Sequence, residues 1–418
     1  MPSSTLTKGL IQTMSFAPRV LDLFCGAGGM SLGFKSAGCE IVGGIDNEKW
    51  PIETHHQNFP NAEIKLPATD IRAIEPSSLG IAPGHIDILI GGPPCQGFSQ
   101  VGRAKIRSLG QERDRDKKNQ LYKQFIRFID YFHPPYFVIE NVQGMKNFKK
   151  EHFLKGVLEE LSTGPKPSGY RSHVQYEIEY RVLCAKDYGV PQVRNRLFII
   201  GRRRDCHKLP IRFPDPVSDI VNLKDAISDL PRLRAPILAT KSKTYLINGG
   251  IHQIDKPKKY RTAPQTKYQQ RMRTGCGATV QNHVCRGHNE KDLEIFSRLK
   301  QGQKYMDLPL SLRRYRNDIF DDKYRRLSAS KPSWTLTAHM QKDCLAYIHP
   351  TQTRSLSTRE AARIQSFPDS FVFAGPLTKI FRMIGNAVPP ILAEQIAIGL
   401  VQELCKSNNK QAKQAAGT

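Results

Sequence analysis

The sequence predicts an α/β protein with a doubly wound sheet and a second, smaller domain. Three observations lead there. Short apolar runs of strand length recur along residues 20–200 at the spacing of strand–helix units. The first run is followed at once by a glycine turn and a helical segment. Groups capable of chemistry stand at the ends of several runs, which is where open α/β sheets bind their ligands.

The first run, Val20-Leu-Asp-Leu-Phe24, leads into Cys25-Gly26-Ala27-Gly28-Gly29 and then Met30-Ser-Leu-Gly-Phe34. This is strand, turn, helix. Glycines let a chain turn tightly and approach a ligand, and a helix start favours polar or anionic groups. The second run, Ile41-Val-Gly-Gly-Ile45, ends in Asp46, 20 residues beyond Gly26. An acidic residue at about that distance usually holds ribose hydroxyls. The combination indicates an adenosine-type cofactor without saying which. The Gly-x-Gly-Gly spacing departs from Gly-x-Gly-x-x-Gly and weakens a nicotinamide reading.

The third run, Ile86-Asp-Ile-Leu-Ile90, ends in Gly91-Gly92-Pro93-Pro94-Cys95-Gln96. A thiol fixed by prolines beyond a buried strand is placed for nucleophilic attack, although a lone cysteine is equally often a small core residue. The fourth run, Tyr136-Phe-Val-Ile139, ends in Glu140-Asn-Val142. The fifth, Arg196-Leu-Phe-Ile-Ile200, is preceded by Gln192-Val-Arg-Asn195. An acid, a thiol and two arginines at strand edges is how a doubly wound sheet gathers a site from distant sequence. Between the third and fourth runs, Leu121, Phe125, Phe128 and Ile129 keep helical spacing and read as core. Near the end, Ser357-Thr-Arg-Glu360 reads as a capping box opening a helix over 358–365, and the apolar stretch 391–401 reads as a helix packed on the sheet.

A chain of 418 residues accommodates two domains, and its formal net charge of +25 points to a polyanionic partner, nucleic acid first. Nine cysteines without a secretory signal are expected to be reduced. No apolar stretch reads as long enough to span a bilayer, so a cytosolic or nuclear home is expected. Residues 205–345 change character: basic residues outnumber acidic ones about two to one, with tyrosines interleaved. The densest stretches are Asp255-Lys-Pro-Lys-Lys-Tyr-Arg261 and Lys267-Tyr-Gln-Gln-Arg-Met-Arg273, suited to phosphates and base edges. Cys276, His283, Cys285 and His288 fit no standard zinc spacing, and no metal is expected.

Five motifs together resemble those of DNA (cytosine-5) methyltransferases: Asp22-Leu-Phe-Cys-Gly-Ala-Gly-Gly29, Gly92-Pro-Pro-Cys-Gln-Gly-Phe-Ser99, Glu140-Asn-Val142, Gln192-Val-Arg-Asn-Arg196 and Gly385-Asn-Ala-Val-Pro-Pro390. Their order and approximate spacing match throughout, over about residues 18–205 and 350–404. The resemblance implies a Rossmann-like domain that uses S-adenosyl-L-methionine and a smaller target-recognition domain. It divides the chain into a tail 1–17, a catalytic and cofactor-binding domain 18–205, a DNA-binding domain 206–349, a return to the catalytic domain 350–405 and a tail 406–418. It implies Cys95 as the nucleophile that adds to carbon 6 of cytosine, Glu140 as the group bonding the ring nitrogen and amine, and Arg194 and Arg196 as holders of the base and the carboxylate.

By the same likeness Phe24, Gly26, Gly28, Gly29, Asp46, Asp70 and Asn386 contact the cofactor, Asp46 at the ribose and Asp70 at the adenine edge. Residues from about Gln96 to Arg115 correspond to a loop that closes on DNA. The target base, hidden in a duplex, must be flipped out. The compact architecture resembles the bacterial restriction-modification type. That implies duplex DNA as partner, a cognate endonuclease acting on the same site without a stable complex, a monomer and a cytoplasmic location. Two alternatives remain at this point: an RNA cytosine-5 methyltransferase of the same fold, and a catalytically silent DNA-binding regulator. The basic region disfavours the first, and intact Cys95, Glu140 and Arg196 disfavour the second.

Overall fold

The computed structural model describes residues 16–94, 121–143, 152–163, 174–206, 209–237, 256–313 and 323–416. Cys95 and the segment 96–115 lie outside the described residues. The chain forms two compact units. One comprises Met1–Cys184, Asn195–Pro216 and Val388–Thr418; the other comprises Ala185–Arg194 and Val217–Ala387.

The first unit is built on a sheet. Its elements are β1 (Arg19–Leu23), α1 (Gly29–Ser36), β2 (Glu40–Ile45), α2 (Lys49–Asn58), β3 (Ile88–Gly91), α3 (Tyr122–Phe132), β4 (Tyr136–Val142), α4 (His152–Thr163), β5 (Tyr176–Cys184) and β6 (Asn195–Arg203). The strand order is β2-β1-β3-β4-β6-β5. The first four strands are mutually parallel, while β6 runs antiparallel to both β4 and β5. The sheet is therefore mixed, with the doubly wound half on the side of β2, β1 and β3. Every residue of β3 is buried, as expected for a strand covered on both faces. Ile88, Leu89 and Ile90 each contribute roughly 1.5–3 kcal/mol by burial. Edge strand β5 alternates towards exposed Glu177, Glu179 and Arg181, a pattern too polar to stand out as an apolar run.

On α3 the buried face is Phe125, Ile126, Phe128, Ile129 and Phe132, at helical spacing, and Leu121 packs partly buried beside it. A C-terminal helix, Pro390–Ala416, returns to this unit and lies on α1. Their approach is close at Gly33. A Cβ there would sit 2.4 Å from Ala393 Cβ and 2.6 Å from the Pro390 carbonyl oxygen, so only glycine opposite alanine admits the contact. The apolar segment expected at 391–401 is part of this longer helix. By length and composition, the stretch Leu377–Asn409 could cross a bilayer, contrary to the sequence expectation. In the fold, 67% of its most apolar window is buried, because residues such as Leu392, Ile396 and Leu400 are core.

The second unit carries short helices, including α5 (Leu223–Ile227), α6 (Lys267–Met272), α7 (Glu290–Arg298), α8 (Thr358–Ile364) and α9 (Leu377–Asn386). Ser357 and Glu360 form the expected capping box at the start of α8. Every residue of α8 is buried, including three charged ones. Each charge is answered locally. Arg354 bonds both oxygens of Glu360, and Arg363 bridges Asp229 and Asp369. Arg359 donates to the carbonyls of Gln281, Pro368 and Phe371. Such a core depends on complete pairing, since a buried charge without its partner is costly.

Two short strands, Gln192–Val193 and Ser333–Trp334, pair in parallel in this unit. His283 bonds the Pro231 carbonyl and Ser357 Oγ, and His288 bonds Ser355 Oγ. Both ring nitrogens of His283 and Nε2 of His288 are thereby engaged in holding loops. Among the described residues no three metal-binding side chains converge.

Candidate active site and cofactor cradle

After β1 the chain adds β2 on one side, then crosses to β3 on the other. The carboxyl ends of β1 and β3 thus flank the switch point, where doubly wound sheets leave a crevice. Leu23 and Gly91 are register partners at those ends. The glycine turn and the Gly92-Pro93-Pro94 segment consequently start side by side. Gly91 is required there, because a Cβ would lie 2.1 Å from the Leu23 carbonyl oxygen.

The turn after β1 is left-handed at three points: Phe24 (φ 60), Gly26 (φ 54) and Gly28 (φ 91). A left-handed phenylalanine is uncommon and marks a turn held by its surroundings. The main chain is fixed by bonds from Cys25 N to the Ile45 carbonyl and from Gly28 N to the Cys25 carbonyl. Asp46, just past β2, accepts from Gly26 N at 3.0 Å and from Glu48 N at 3.0 Å. Burial pushes its carboxyl up, and the two amides oppose that shift. A Cβ on Gly26 would meet nothing within 4 Å, so this side of the turn is open. Gly28 and Gly29 are buried at the start of α1, whose first turn carries no acidic side chain. An open glycine turn, a helix start and a carboxylate braced by main-chain amides fit an adenosyl ligand.

Asp70 belongs to the neighbouring loop, since Thr69 N bonds the Asp46 carbonyl. Its side chain accepts from Arg72 N and pairs with the Arg72 guanidinium, which holds its carboxyl below the usual range. Asp70 is thus a loop cap here, and it remains partly exposed.

Glu140 lies within β4, because the strand runs on to Val142. Its register partner on β6 is Phe198, and Arg196 stands opposite Val142, one diagonal step away on the same face. Arg196 Nε reaches Glu140 Oε1 at 2.8 Å, and Arg196 Nη1 donates to the Asn195 carbonyl at 2.8 Å. The two side chains are 15% and 12% exposed, so the pair is mostly withdrawn from water. Burial pulls the Arg196 guanidinium down, and Glu140 opposes that shift. The β3 end is held against this pair: a Cβ on Gly92 would be 3.2 Å from Glu140 Oε2, and Asn141 Nδ2 donates to the Pro93 carbonyl at 3.3 Å. The segment leading to Cys95 is therefore anchored beside a carboxylate–guanidinium pair.

Arg194 is fully buried in the second unit. Its guanidinium donates to the carbonyls of Leu336 (2.7 Å), Gly385 (3.0 Å) and Ala387 (3.0 Å). Gln192 reaches Gln365 Oε1 and accepts from Leu336 N. Asn386 ends α9 and is exposed, and the carbonyls on either side of it are the ones Arg194 holds.

Sequence reasoning passed over a buried polar row behind the turn. Asp22 Oδ2 lies 2.5 Å from Ser31 Oγ, which lies 3.2 Å from His55 Nε2. An acidic residue inside the apolar run Val20-Leu-Asp-Leu-Phe24 was its one visible signal. Nothing in the sequence marked His55.

The fold and these strand ends define a class, the Rossmann-like α/β methyltransferases. A family model described as C-5 cytosine-specific DNA methylase matches residues 18–402. The chain belongs to that family, and it is a DNA cytosine-5 methyltransferase. It is 35% identical to the type II methyltransferase M.DdeI of Desulfomicrobium norvegicum, over 90% of this chain and 87% of that protein. It is 32% identical to the type II methyltransferase M1.HphI of Haemophilus parahaemolyticus, over 94% of this chain and 88% of that protein. A crystal structure of an E. coli prophage-encoded protein, described as a DNA modification methyltransferase, superposes with a TM-score of 0.70 at 27% identity, covering 93% of this chain and 99% of that one.

Proposed function

We propose that the protein transfers a methyl group from S-adenosyl-L-methionine to the 5-position of cytosine in a specific sequence of duplex DNA. The observation that carries this reading is the Glu140–Arg196 pair set against Gly92 and Pro93 at the switch point, next to the open glycine turn. The bound cofactor supplies an electrophilic methyl group on its sulfonium.

In this reading the Cys95 thiolate forms a bond to carbon 6 of a flipped-out cytosine. Glu140 bonds the ring nitrogen and exocyclic amine, and Arg196 keeps that carboxylate aimed. After methyl transfer a base takes the proton from carbon 5 and the thiolate leaves. Phe24, Gly26, Gly28, Gly29, Asp46 and Asp70 are assigned to the cofactor, and so is Asn386. Arg194 acts as a positioning residue through the Gly385 and Ala387 carbonyls. Residues 206–349 are assigned to target recognition, supported by their basic composition. The type II names of the relatives support a restriction-modification role; an endonuclease of the same specificity, a monomeric state and a bacterial cytoplasmic location belong to the same proposal.

The test is expression in a host without cytosine methylation, followed by bisulfite sequencing. Protection of cytosines in one short motif is expected, and Cys95→Ala should abolish it. Unprotected DNA from a folded protein that binds the cofactor would refute the DNA reading.

A further inference from the structure

Behind the glycine turn, polar side chains are buried where an apolar core would serve packing as well. Asp22, Ser31 and His55 are each at most 1% exposed. They come from β1, α1 and α2, and they form one hydrogen-bonded row. His55 also fills space that two glycines leave. A Cβ on Gly28 would lie 3.0 Å from His55 Cδ2, and one on Gly44 would lie 2.6 Å from His55 Nε2. Phe59 packs against the ring in a tilted contact, 4.5 Å between centroids. The left-handed turn at Gly28 thus rests on an imidazole, and the imidazole is tied through one hydroxyl to a carboxyl in the sheet.

We infer that the row Asp22–Ser31–His55 positions the glycine turn for the methyl donor, with Asp22 as the buried carboxyl whose ionisation favours the cationic donor over the uncharged-sulfur product. This rests on the proposed cofactor. The proton count explains the arrangement. Ser31 has one hydroxyl hydrogen. With Asp22 ionised, Ser31 donates to it and accepts from His55 Nε2–H. With Asp22 protonated, Asp22 donates to Ser31, and Ser31 donates to Nε2. His55 is neutral in both states, and burial holds its imidazole down to about 3. His55 Nδ1 has no hydrogen-bond partner among the described residues, which removes a competing hold on the ring.

Burial pushes the Asp22 carboxyl up to about 7, against the Ser31 bond that lowers it, and the Asp46 carboxylate raises it further. Among the described residues, the groups that act on Asp22 are Ser31 and Asp46, and neither is a cation. The register neighbours of Asp22 are Gly44 on β2 and Ile90 on β3. The other titratable groups near the row are the Cys25 thiol, Asp46, and the imidazoles of His55 and His56, both of which burial lowers; Lys35 lies 5.4 Å over the Phe59 ring, which packs against His55. A sulfonium held at this turn therefore supplies a positive charge that the site lacks, and favours the ionised carboxyl. The sign follows. Donor binding releases a proton from Asp22, so donor affinity rises as pH rises through about 7. The product sulfur is neutral and has no such dependence. Each unit by which the donor lowers the carboxyl corresponds to about tenfold in affinity.

The experiment is calorimetric titration of the full-length protein with S-adenosylmethionine and with S-adenosylhomocysteine between about pH 6 and pH 8. In the wild type the donor should gain about fivefold or more over the product across that range. Asp22→Asn should flatten the ratio, which separates the protein's carboxyl from the ligand's own amine, itself near 8 in ordinary amino groups. Should Asp22→Asn not fold, Ser31→Ala provides the second arm. Losing the hydroxyl destabilises the ionised carboxyl, so the rise should move to higher pH. His55→Ala should weaken donor binding at least about tenfold, read directly in the calorimetric titration. A wild-type ratio that does not change with pH, or one unchanged in both Asp22→Asn and Ser31→Ala, overturns the inference. Failure of the wild type to bind either ligand would instead overturn the cofactor reading.

Discussion

Replacing Arg196 by alanine tests the centre of the candidate site. The perturbation removes one ion pair and one main-chain bond, the 2.8 Å contacts to Glu140 and to the Asn195 carbonyl. It leaves the Glu140 carboxylate on β4 about nine-tenths out of water. Breaking one side of a largely buried pair costs about 2–5 kcal/mol, through the charge left behind rather than the lost attraction alone. Part of that cost appears as lower stability. In the proposed mechanism the remainder appears in the reaction, because a carboxylate that is no longer aimed stabilises the adduct poorly. Loss of one such preorganised electrostatic contact typically lowers kcat by about 100- to 1000-fold.

The assay is steady-state transfer of a labelled methyl group to duplex DNA, paired with direct donor binding. The kcat should fall by the stated factor and the donor Kd should stay within about twofold, since the proposed cofactor site at the glycine turn and Asp46 does not include Arg196. Arg196→Lys should fall between the two proteins. It keeps the charge and loses the fork that reaches Glu140 and Asn195 together. A kcat for Arg196→Ala within threefold of wild type would refute the argument. An equal loss of donor binding and turnover would also refute it, by showing that the pair supports the fold and not the reaction.

Other predictions concern packing, acid stability and DNA. Gly91→Ala should cost several kcal/mol in urea unfolding, because the new Cβ would sit 2.1 Å from the Leu23 carbonyl oxygen in the middle of the sheet; a loss below about 1 kcal/mol would contradict the register of β1 and β3. Burial disfavours ionised Glu360, yet Arg354 outweighs it and holds the carboxyl well below its usual range. This stability is present above about pH 4.5 and lost as pH falls towards the folded value. Arg354→Met should therefore destabilise most at neutral pH, with the gap to wild type narrowing at about pH 4; a constant gap would count against the pair. DNA affinity should fall steeply with salt, as expected for a protein of net charge +25 that neutralises several phosphates. A slope near zero in a filter-binding titration would exclude a phosphate-dominated interface.

Much of the site was legible because its parts are local. The glycine turn after Val20-Leu-Asp-Leu-Phe24 and the Asp46 that ends the next run can be read from spacing alone. Strand ends were less certain. Glu140 reads as lying beyond an apolar run, yet hydrogen bonding to β6 extends the strand through it to Val142. Edge strand β5 was invisible because its exposed face is polar. Arg194 and Arg196 are two residues apart and equivalent by composition. Arg196 pairs across the sheet with Glu140, while Arg194 belongs to the other unit and holds three carbonyls there.

The sequence by itself determined the fold class, the order of its motifs and the family, because apolar period, turn chemistry and motif spacing are properties of neighbouring residues. Only the tertiary structure decided which polar groups meet. The Glu140–Arg196 pair depends on antiparallel register, and the close packing at Gly33 depends on a helix that begins more than 350 residues later. The row Asp22–Ser31–His55 depends on three elements converging under one turn. Such contacts are set by how the sheet and helices stack, and no local pattern encodes a partner that lies on another element.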